Sequence, residues 1–252
     1  MRYVLTVSYD GTHFCGWQVQ PNGRTVQEAL NAAIKQAFGE EATVTASGRT
    51  DAGVHALAQV CHVDLNARID GEKLADALNS RLPEDVSVVS SAVAPDGFDA
   101  NRSAKRKTYV YSLYFARRRN PLLERYATWV KGEPNAEKMR EAALLLTGEH
   151  DFAAYCASGS QVKTTVREIY GIDIEREGGL VKIKVCGNGF LYNMVRTLAG
   201  TILRYSQGKL SKEDILSTLN QCDRSKVGKT MPAKGLTLYG VEYGFPLDKD
   251  GQ

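Results

Sequence analysis

Long hydrophobic runs are missing from this 252-residue chain. No stretch approaches the run of about 18 apolar residues that a membrane-spanning helix needs, so no membrane segment is expected. Cysteine is scarce. The five thiols, Cys15, Cys61, Cys156, Cys186 and Cys222, are odd in number, scattered, and without a Cys-x-x-Cys spacing. That pattern argues against a disulfide framework or a structural zinc site, and reads instead as mostly buried free thiols. Cys61-His62 has no second such pair, and His55 and His62 lack a clustered third ligand, so both read as ordinary hydrogen-bonded histidines and no metal is expected. The chain also lacks low-complexity segments and a signal-peptide form at Met1-Arg2-Tyr3-Val4-Leu5. A cytoplasmic protein is the expectation. Net charge is only +3, which by itself identifies no partner.

What is present is a regular alternation of strand and helix patterns, with 43% hydrophobic residues to build cores. Residues 2–9 alternate, placing Tyr3, Leu5, Val7 and Tyr9 on one face of a strand that Asp10-Gly11 ends. A loop follows, with an exposed-looking Gly16-Trp17-Gln18. Thr25 with Glu28 forms a capping-box pattern before a helix whose buried stripe is Val26, Leu30, Ala33 and Ala37. Strands over 42–46 and 56–65, a helix capped by Asp70, and a strand over 86–93 complete a β-α-β-β-α-β order. The order then repeats: a strand over 107–115, a helix over 136–146, strands over 165–174 and 180–185, a helix over 190–205, a shorter one capped by Ser211, and a closing strand over 238–243. An α+β fold of two split βαβ (ferredoxin-like) halves is expected, with mostly antiparallel sheets meeting at a central cleft. The expected boundaries are 1–104, 105–247 and a short disordered tail, 248–252.

Charge is unevenly placed. Between Asn101 and Lys131 stand nine basic residues (Arg102, Lys105, Arg106, Lys107, Arg117, Arg118, Arg119, Arg125, Lys131) against one acid, Glu124. Tyr109, Tyr111, Tyr114, Phe115, Tyr126 and Trp129 are interleaved with them. Cations alternating with rings suit phosphate neutralisation and base stacking, whereas a solvated basic strand pair with its rings in a core gives the same pattern.

The chemistry centres on Ser47-Gly48-Arg49-Thr50-Asp51-Ala52-Gly53-Val54-His55, between two strand candidates. Its glycines allow a sharp turn that exposes side chains. Asp51, two residues after Arg49, is either a turn cap or a reactive carboxylate kept ionised by a neighbouring cation. Arg196 lies on a largely apolar helix, where it either snorkels to water or pairs with a buried carboxylate such as Asp51. Gly228-Lys229-Thr230 is no phosphate loop: the first required glycine would fall at Asp223, and no strand precedes it.

Gly48 to His55 with Gln59-Val60 resembles the signature of the bacterial tRNA pseudouridine synthase A family. Four more blocks resemble that family in order: Gly16-Trp17-Gln18-Val19-Gln20 with Thr25-Val26-Gln27; Ser103 to Tyr111; Phe190 to Arg196 with Gly200; and Pro232-Ala233-Lys234-Gly235-Leu236. The family usually has Arg where Asn101 stands and an uncharged residue at Arg102, which puts one RNA contact in doubt, and a small residue is commoner where Met231 stands. The resemblance implies the pseudouridine synthase fold and isomerisation of uridine to pseudouridine at positions 38, 39 and 40 of the tRNA anticodon stem-loop. No cofactor or metal is implied, and the partners would be tRNA and a second copy in a homodimer. Asp51 would be the essential carboxylate, acting at ribose C1′, at C2′ or at uracil C6. Arg49 would fill the space left by the flipped nucleotide, Arg196 would pair with Asp51, and Tyr109 would stack on the uracil and relay its C5 proton. Leu236, Arg102, Lys105 and Arg106 are the remaining substrate-binding candidates. The alternative is a non-catalytic RNA-binding protein on the same fold, which would have no use for Asp51, Arg49, Tyr109 and Arg196 together.

Replacing Arg117, Arg118 and Arg119 together by Ala should weaken tRNA binding at low salt. If all three reach phosphates, the slope of log affinity against log salt should fall by about two units, at about 0.7 to 0.9 per contact. An unchanged slope in a filter-binding titration would move the grip elsewhere.

Overall fold

The computed structural model describes residues 1–159 and 162–247, and the expected tail, 248–252, lies outside the described residues. The chain divides into two compact units, one built from residues 1–106 with residues 237–247, the other from residues 107–236. Among the described residues no helix is long and apolar enough to cross a membrane.

In the first unit the chain forms β1 (Arg2–Tyr9), α1 (Val26–Phe38), β2 (Thr45–Ala46), β3 (His55–Asp64), α2 (Lys73–Asn79) and β4 (Val86–Val93). Strand β1 is central and runs antiparallel to both β3 and β4, while β2 runs antiparallel to β3. The resulting order, β4-β1-β3-β2, is the split βαβ arrangement expected from the pattern. Period-two alternation buries Tyr3, Leu5, Val7 and Tyr9 on one face of β1, and the helices contribute Leu30, Ile34, Leu74 and Leu78 to the core. The other face carries a smaller cluster of Val4, Val60, Phe98 and Ala100, against which Val241 and Tyr243 pack.

Three local expectations are corrected. Trp17 is buried, because its main chain is stitched on both sides: its N–H donates to the Thr50 carbonyl (3.0 Å) and its own carbonyl accepts from Gln27 (3.0 Å). Its ring lies 6.1 Å from that of Tyr9. Asp70 does not cap α2; it accepts the Glu72 N–H (3.2 Å) one turn earlier, and the helix starts at Lys73 without a side-chain cap. In α1 the buried stripe takes Ile34 and leaves Ala37 half-buried.

The second unit contains β5 (Ala104–Phe115), β6 (Thr128–Val130), α3 (Ala136–Leu145), β7 (Gly148–Asp151), β8 (Val166–Glu177), β9 (Leu180–Gly187), α4 (Met194–Ser206) and α5 (Lys212–Asn220), and leads into β10 (Leu236–Tyr243). Strand β9 lies between β5 and β8, antiparallel to both, so β5-β9-β8 repeats the order of β1-β3-β2. The short strands β6 and β7 are additions at β5 and β8. Residues from Thr237, which the sequence pattern places with the C-terminal half, group with the first unit. The reason is pairing: Thr237 and Leu238 run parallel to His55 and Ala56 of β3.

Helix α4 is buried along almost its whole length, and the chain after α5 crosses it closely. A Cβ on Gly200 would sit 2.0 Å from the Lys229 carbonyl oxygen, and one on Gly228 would sit 2.2 Å from the Thr201 nitrogen. Thr201 Oγ1 accepts the Gly228 N–H (2.9 Å) at this crossing. The Gly-Lys-Thr triplet is therefore a backbone packing site.

Gly200→Ala tests the crossing by its sign. In an open helix Ala is favoured over Gly by about 1 kcal/mol. Here the methyl meets a backbone oxygen that cannot turn away, and forced overpacking costs about 1–3 kcal/mol. The variant should show a lower urea midpoint with an unchanged m-value; a higher midpoint would refute the close contact.

Candidate active site

Residues 47–54 join β2 to β3, and the main chain of this loop is tied down at several points along its length. Ser47 N–H donates to the Val60 carbonyl (2.8 Å), Ser47 Oγ to Gln59 Oε1 (2.6 Å), and Gln59 Nε2 to the Gly48 carbonyl (2.8 Å). Thr50 is held at both ends, its carbonyl by Trp17 and its hydroxyl by Tyr9 Oη (2.8 Å). Gly53 N–H donates to the Phe14 carbonyl (3.2 Å), and Val54 N–H closes a turn onto the Asp51 carbonyl (3.1 Å). Ser47 and Thr50 point inward and are buried, whereas Arg49 is exposed and Asp51 half-exposed. The loop thus presents a carboxylate and a guanidinium from a fixed main chain.

Two glycines make the fixing possible. A Cβ on Gly11 would meet the Val54 carbonyl oxygen at 1.9 Å, and one on Gly16 (φ +91) would meet the Thr50 oxygen at 2.6 Å. Sequence reasoning did not single out Gly11, and it took Gly16 only as part of a block. His55 belongs to the same frame: its Nδ1 accepts the Gly11 N–H (3.0 Å). His62 Nδ1 likewise accepts the Ala100 N–H (3.1 Å).

The other candidates lie in the second unit. Tyr109 is on β5 opposite Val185 of β9, is 9% exposed, and meets Phe190 edge-to-face with ring centres 5.3 Å apart. Core packing and a stacking role are both open to a ring so placed. Lys107 shares the Tyr109 side of β5, and burial together with nearby Arg167 lowers its pKa. Leu236, at the start of β10, is buried. Just before it, a Cβ on Gly235 would fall 2.7 Å from the Tyr111 ring, and Tyr111 Oη donates to the Pro232 carbonyl (2.7 Å).

Arg196 stands in the first turn of α4. Its Nε donates to the Met231 carbonyl (2.7 Å) and its Nη1 to Asn193 Oδ1 (2.5 Å), while Met231 N–H donates back to the Arg196 carbonyl (3.2 Å). Met231 acts through its main chain alone, so the unusual side chain there is without consequence for this contact.

The basic segment resolves into two kinds of residue. Tyr111 and Tyr114 are fully buried, which makes them core, while Tyr126 is exposed. Arg102, Lys105, Arg106, Arg117, Arg118 and Arg119 are all exposed. The Arg119 guanidinium lies over the half-buried Trp129 ring, 5.4 Å from its centre. The one acid, Glu124, faces inward: it accepts from Tyr114 Oη (2.5 Å) and pairs with Lys234 of the Pro232–Leu236 block.

A duplicated split-βαβ α+β architecture carrying an acid loop locked in this way is that of the pseudouridine synthases as a class. A family model described as tRNA pseudouridine synthase matches residues 5–101 and 142–244. The tRNA pseudouridine synthase A of Ruminiclostridium cellulolyticum is 43% identical over 245 residues, covering 96% of this chain and 100% of that protein. That of Brucella ovis is 42% identical over 251 residues, covering 98% and 99%. The chain belongs to the tRNA pseudouridine synthase family. Among solved structures, a Cbf5-Nop10-Gar1 complex aligns with a TM-score of 0.33 and 17% identity over 78% of this chain and 43% of that one, too partial a likeness to bear on the site. Most of the basic segment lies between the two stretches that the family model matches.

The Glu124 contacts set a pH dependence. Lys234 and Tyr114 hold its carboxyl below the usual carboxylate range in the folded chain. A lowered folded pKa stabilises above the unfolded value and is lost as pH falls through the folded one. Glu124→Gln should therefore be less stable than wild type near neutrality, with the gap in urea midpoint closing below about pH 4.3. A gap that is constant between pH 7 and 3 would show that the ionised pair contributes nothing.

Proposed function

We propose that this protein converts uridine to pseudouridine at positions 38, 39 and 40 of the tRNA anticodon stem-loop. The observation that carries the proposal is Asp51, half-exposed on a loop whose backbone is held by Gln59, Phe14 and Trp17 and whose Thr50 hydroxyl is held by Tyr9. Family membership and the names of the relatives support the substrate class. The reaction is balanced within the substrate: the N1–C1′ bond breaks, a C5–C1′ bond forms, C5 loses a proton and N1 gains one. No oxidant, reductant or energy source is consumed.

In this reading the first unit presents the acid loop, and the second presents most of the basic segment and the arginine helix. Asp51 is the essential carboxylate, nucleophile or base, and Arg196 is the cation that keeps it ionised and oriented. Arg49, exposed beside it, occupies the gap left when the target nucleotide flips out, an extrusion that costs a few kcal/mol. Tyr109 lies against the uracil, and its hydroxyl moves the C5 proton. Leu236 completes the apolar surface for the base, and exposed Arg102, Lys105 and Arg106 meet RNA phosphates. The enzyme works in the cytoplasm as a homodimer.

Tritium release from tRNA labelled at uridine C5 tests the reading. Asp51→Ala should abolish release while tRNA affinity stays within a few fold, since the carboxylate is not a binding determinant. Tyr109→Phe, which keeps the edge-to-face contact with Phe190, should fold normally, bind tRNA and turn over about 10²-fold more slowly. Release by Asp51→Ala at a tenth of the wild-type rate or better would remove Asp51 from the chemistry. Normal turnover by Tyr109→Phe would leave its ring a stacking role only.

A further inference from the structure

Asn193 departs from what an asparagine at a helix start ordinarily does. An N-cap Asn sits in extended backbone and uses its side-chain oxygen to accept a main-chain N–H one turn ahead. Asn193 instead stands in the left-handed region (φ 62, ψ 5) and makes no side-chain cap bond to α4. It and Cys222 are the two non-glycine residues with positive φ among the described residues. Its oxygen is spent on Arg196 Nη1 (2.5 Å), the side chain of the very residue whose N–H it would otherwise cap. The amide orientation follows from chemistry, because a guanidinium has donors only and must meet Oδ1.

The backbone is built to permit this. The Asn193 carbonyl accepts both the N–H and the Oγ1 of Thr197 (3.1 Å each), and Leu191 closes the preceding turn by accepting the Met194 N–H (3.0 Å). Asn193 is thereby fixed at its main chain while its side chain reaches over the first turn. Together with the Met231 carbonyl on Nε, it gives the guanidinium acceptors on two different nitrogens, which sets both its position and the tilt of its plane.

We propose that Asn193 is the positioning residue of the active site: its Oδ1 aims the Arg196 guanidinium at the reacting carboxylate. The inference rests on the reading of Arg196 as the partner of Asp51. An unusual backbone conformation whose side chain serves a neighbouring charged group, rather than its own helix, fits strain retained for orientation. Asn193 acts through that guanidinium, to which its Oδ1 is bonded.

The test uses two variants of the full-length protein. Asn193→Gly keeps the left-handed backbone at no cost and deletes the oxygen; Asn193→Asp keeps an oxygen in place and tolerates the same φ. Under single-turnover conditions with tRNA in saturating binding, Asn193→Gly should slow pseudouridine formation about 10- to 100-fold, the effect of a misaimed group, with tRNA affinity and melting temperature near wild type. Asn193→Asp should recover most of the rate. In an Arg196→Ala background, Asn193→Gly should cost nothing further, because it acts only through that arginine. Wild-type turnover by Asn193→Gly beside a slow Arg196→Ala would overturn the proposal, as would full additivity of the two changes. Normal turnover by Arg196→Ala would instead sink the reading beneath it, and the inference with it. As a readout independent of activity, the Arg196 guanidinium ¹⁵N–¹H signals should be resolved and slowly exchanging in wild type and in Asn193→Asp. In Asn193→Gly they should collapse to the position of free arginines; retention there would also overturn the proposal.

Discussion

Everything proposed for the acid loop depends on main chains lying closer together than any side chain permits. At Gly11 the neighbouring carbonyl of Val54 occupies the space of a Cβ, and at Gly16 the carbonyl of Thr50 does the same. Such contacts let one loop hydrogen-bond across another without an intervening layer of side chains. Loops are ordinarily the mobile part of a domain, so a reactive group on a loop needs a special reason to stay in place. Here the main chain of residues 47–54 is held at Ser47, Gly48, Thr50, Gly53 and Val54, with Arg49 exposed and Asp51 half-exposed between those points.

The second unit repeats the device with different parts. Gly200 and Gly228 bring the chain after α5 onto the back of α4, and Gly235 brings the next stretch onto Tyr111. Because the crossing is made by backbone, the Met231 carbonyl arrives at Arg196 Nε regardless of the Met231 side chain. A charged group on an apolar helix is expensive unless it is hydrogen-bonded, and Arg196 is supplied from both the crossing segment and Asn193. In both units, then, glycine contacts build a scaffold and a few polar bonds aim one charged side chain from it.

The distribution of charge follows the same division of labour. Apart from half-buried Lys107, the cations of the segment after β4 face solvent, whereas its single acid is turned inward to Tyr114 and Lys234. Glu124 therefore ties the arginine-bearing loop to the Pro232–Leu236 block without cancelling the outward positive field. A field of one sign on an exposed loop raises encounter rates with a polyanion and adds little to fold stability.

The α+β pattern with its internal duplication was legible from period alone, since Tyr3, Leu5, Val7 and Tyr9 on one strand face and the stripes of the helices each encode burial directly. The candidate loop around Asp51 could also be picked out, because Gly, Arg, Asp and Gly at short spacing lie together in the chain whatever the fold. Other features were decided only by tertiary structure, because they involve atoms far apart in sequence. Trp17 looked exposed in a glycine-rich loop and is buried, since Thr50 and Gln27 take its backbone. Residues from Thr237 join the first unit, since a strand pairs with whichever edge it meets and its own sequence does not name the partner. Helix α4 begins at Met194 rather than at Phe190, since the apolar run continues through Asn193 while the left-handed backbone there breaks the helix. Local periodicity specifies which side of an element is buried; it carries no record of which distant carbonyl will fill the space beside a glycine, and that contact is what holds each charged group in place.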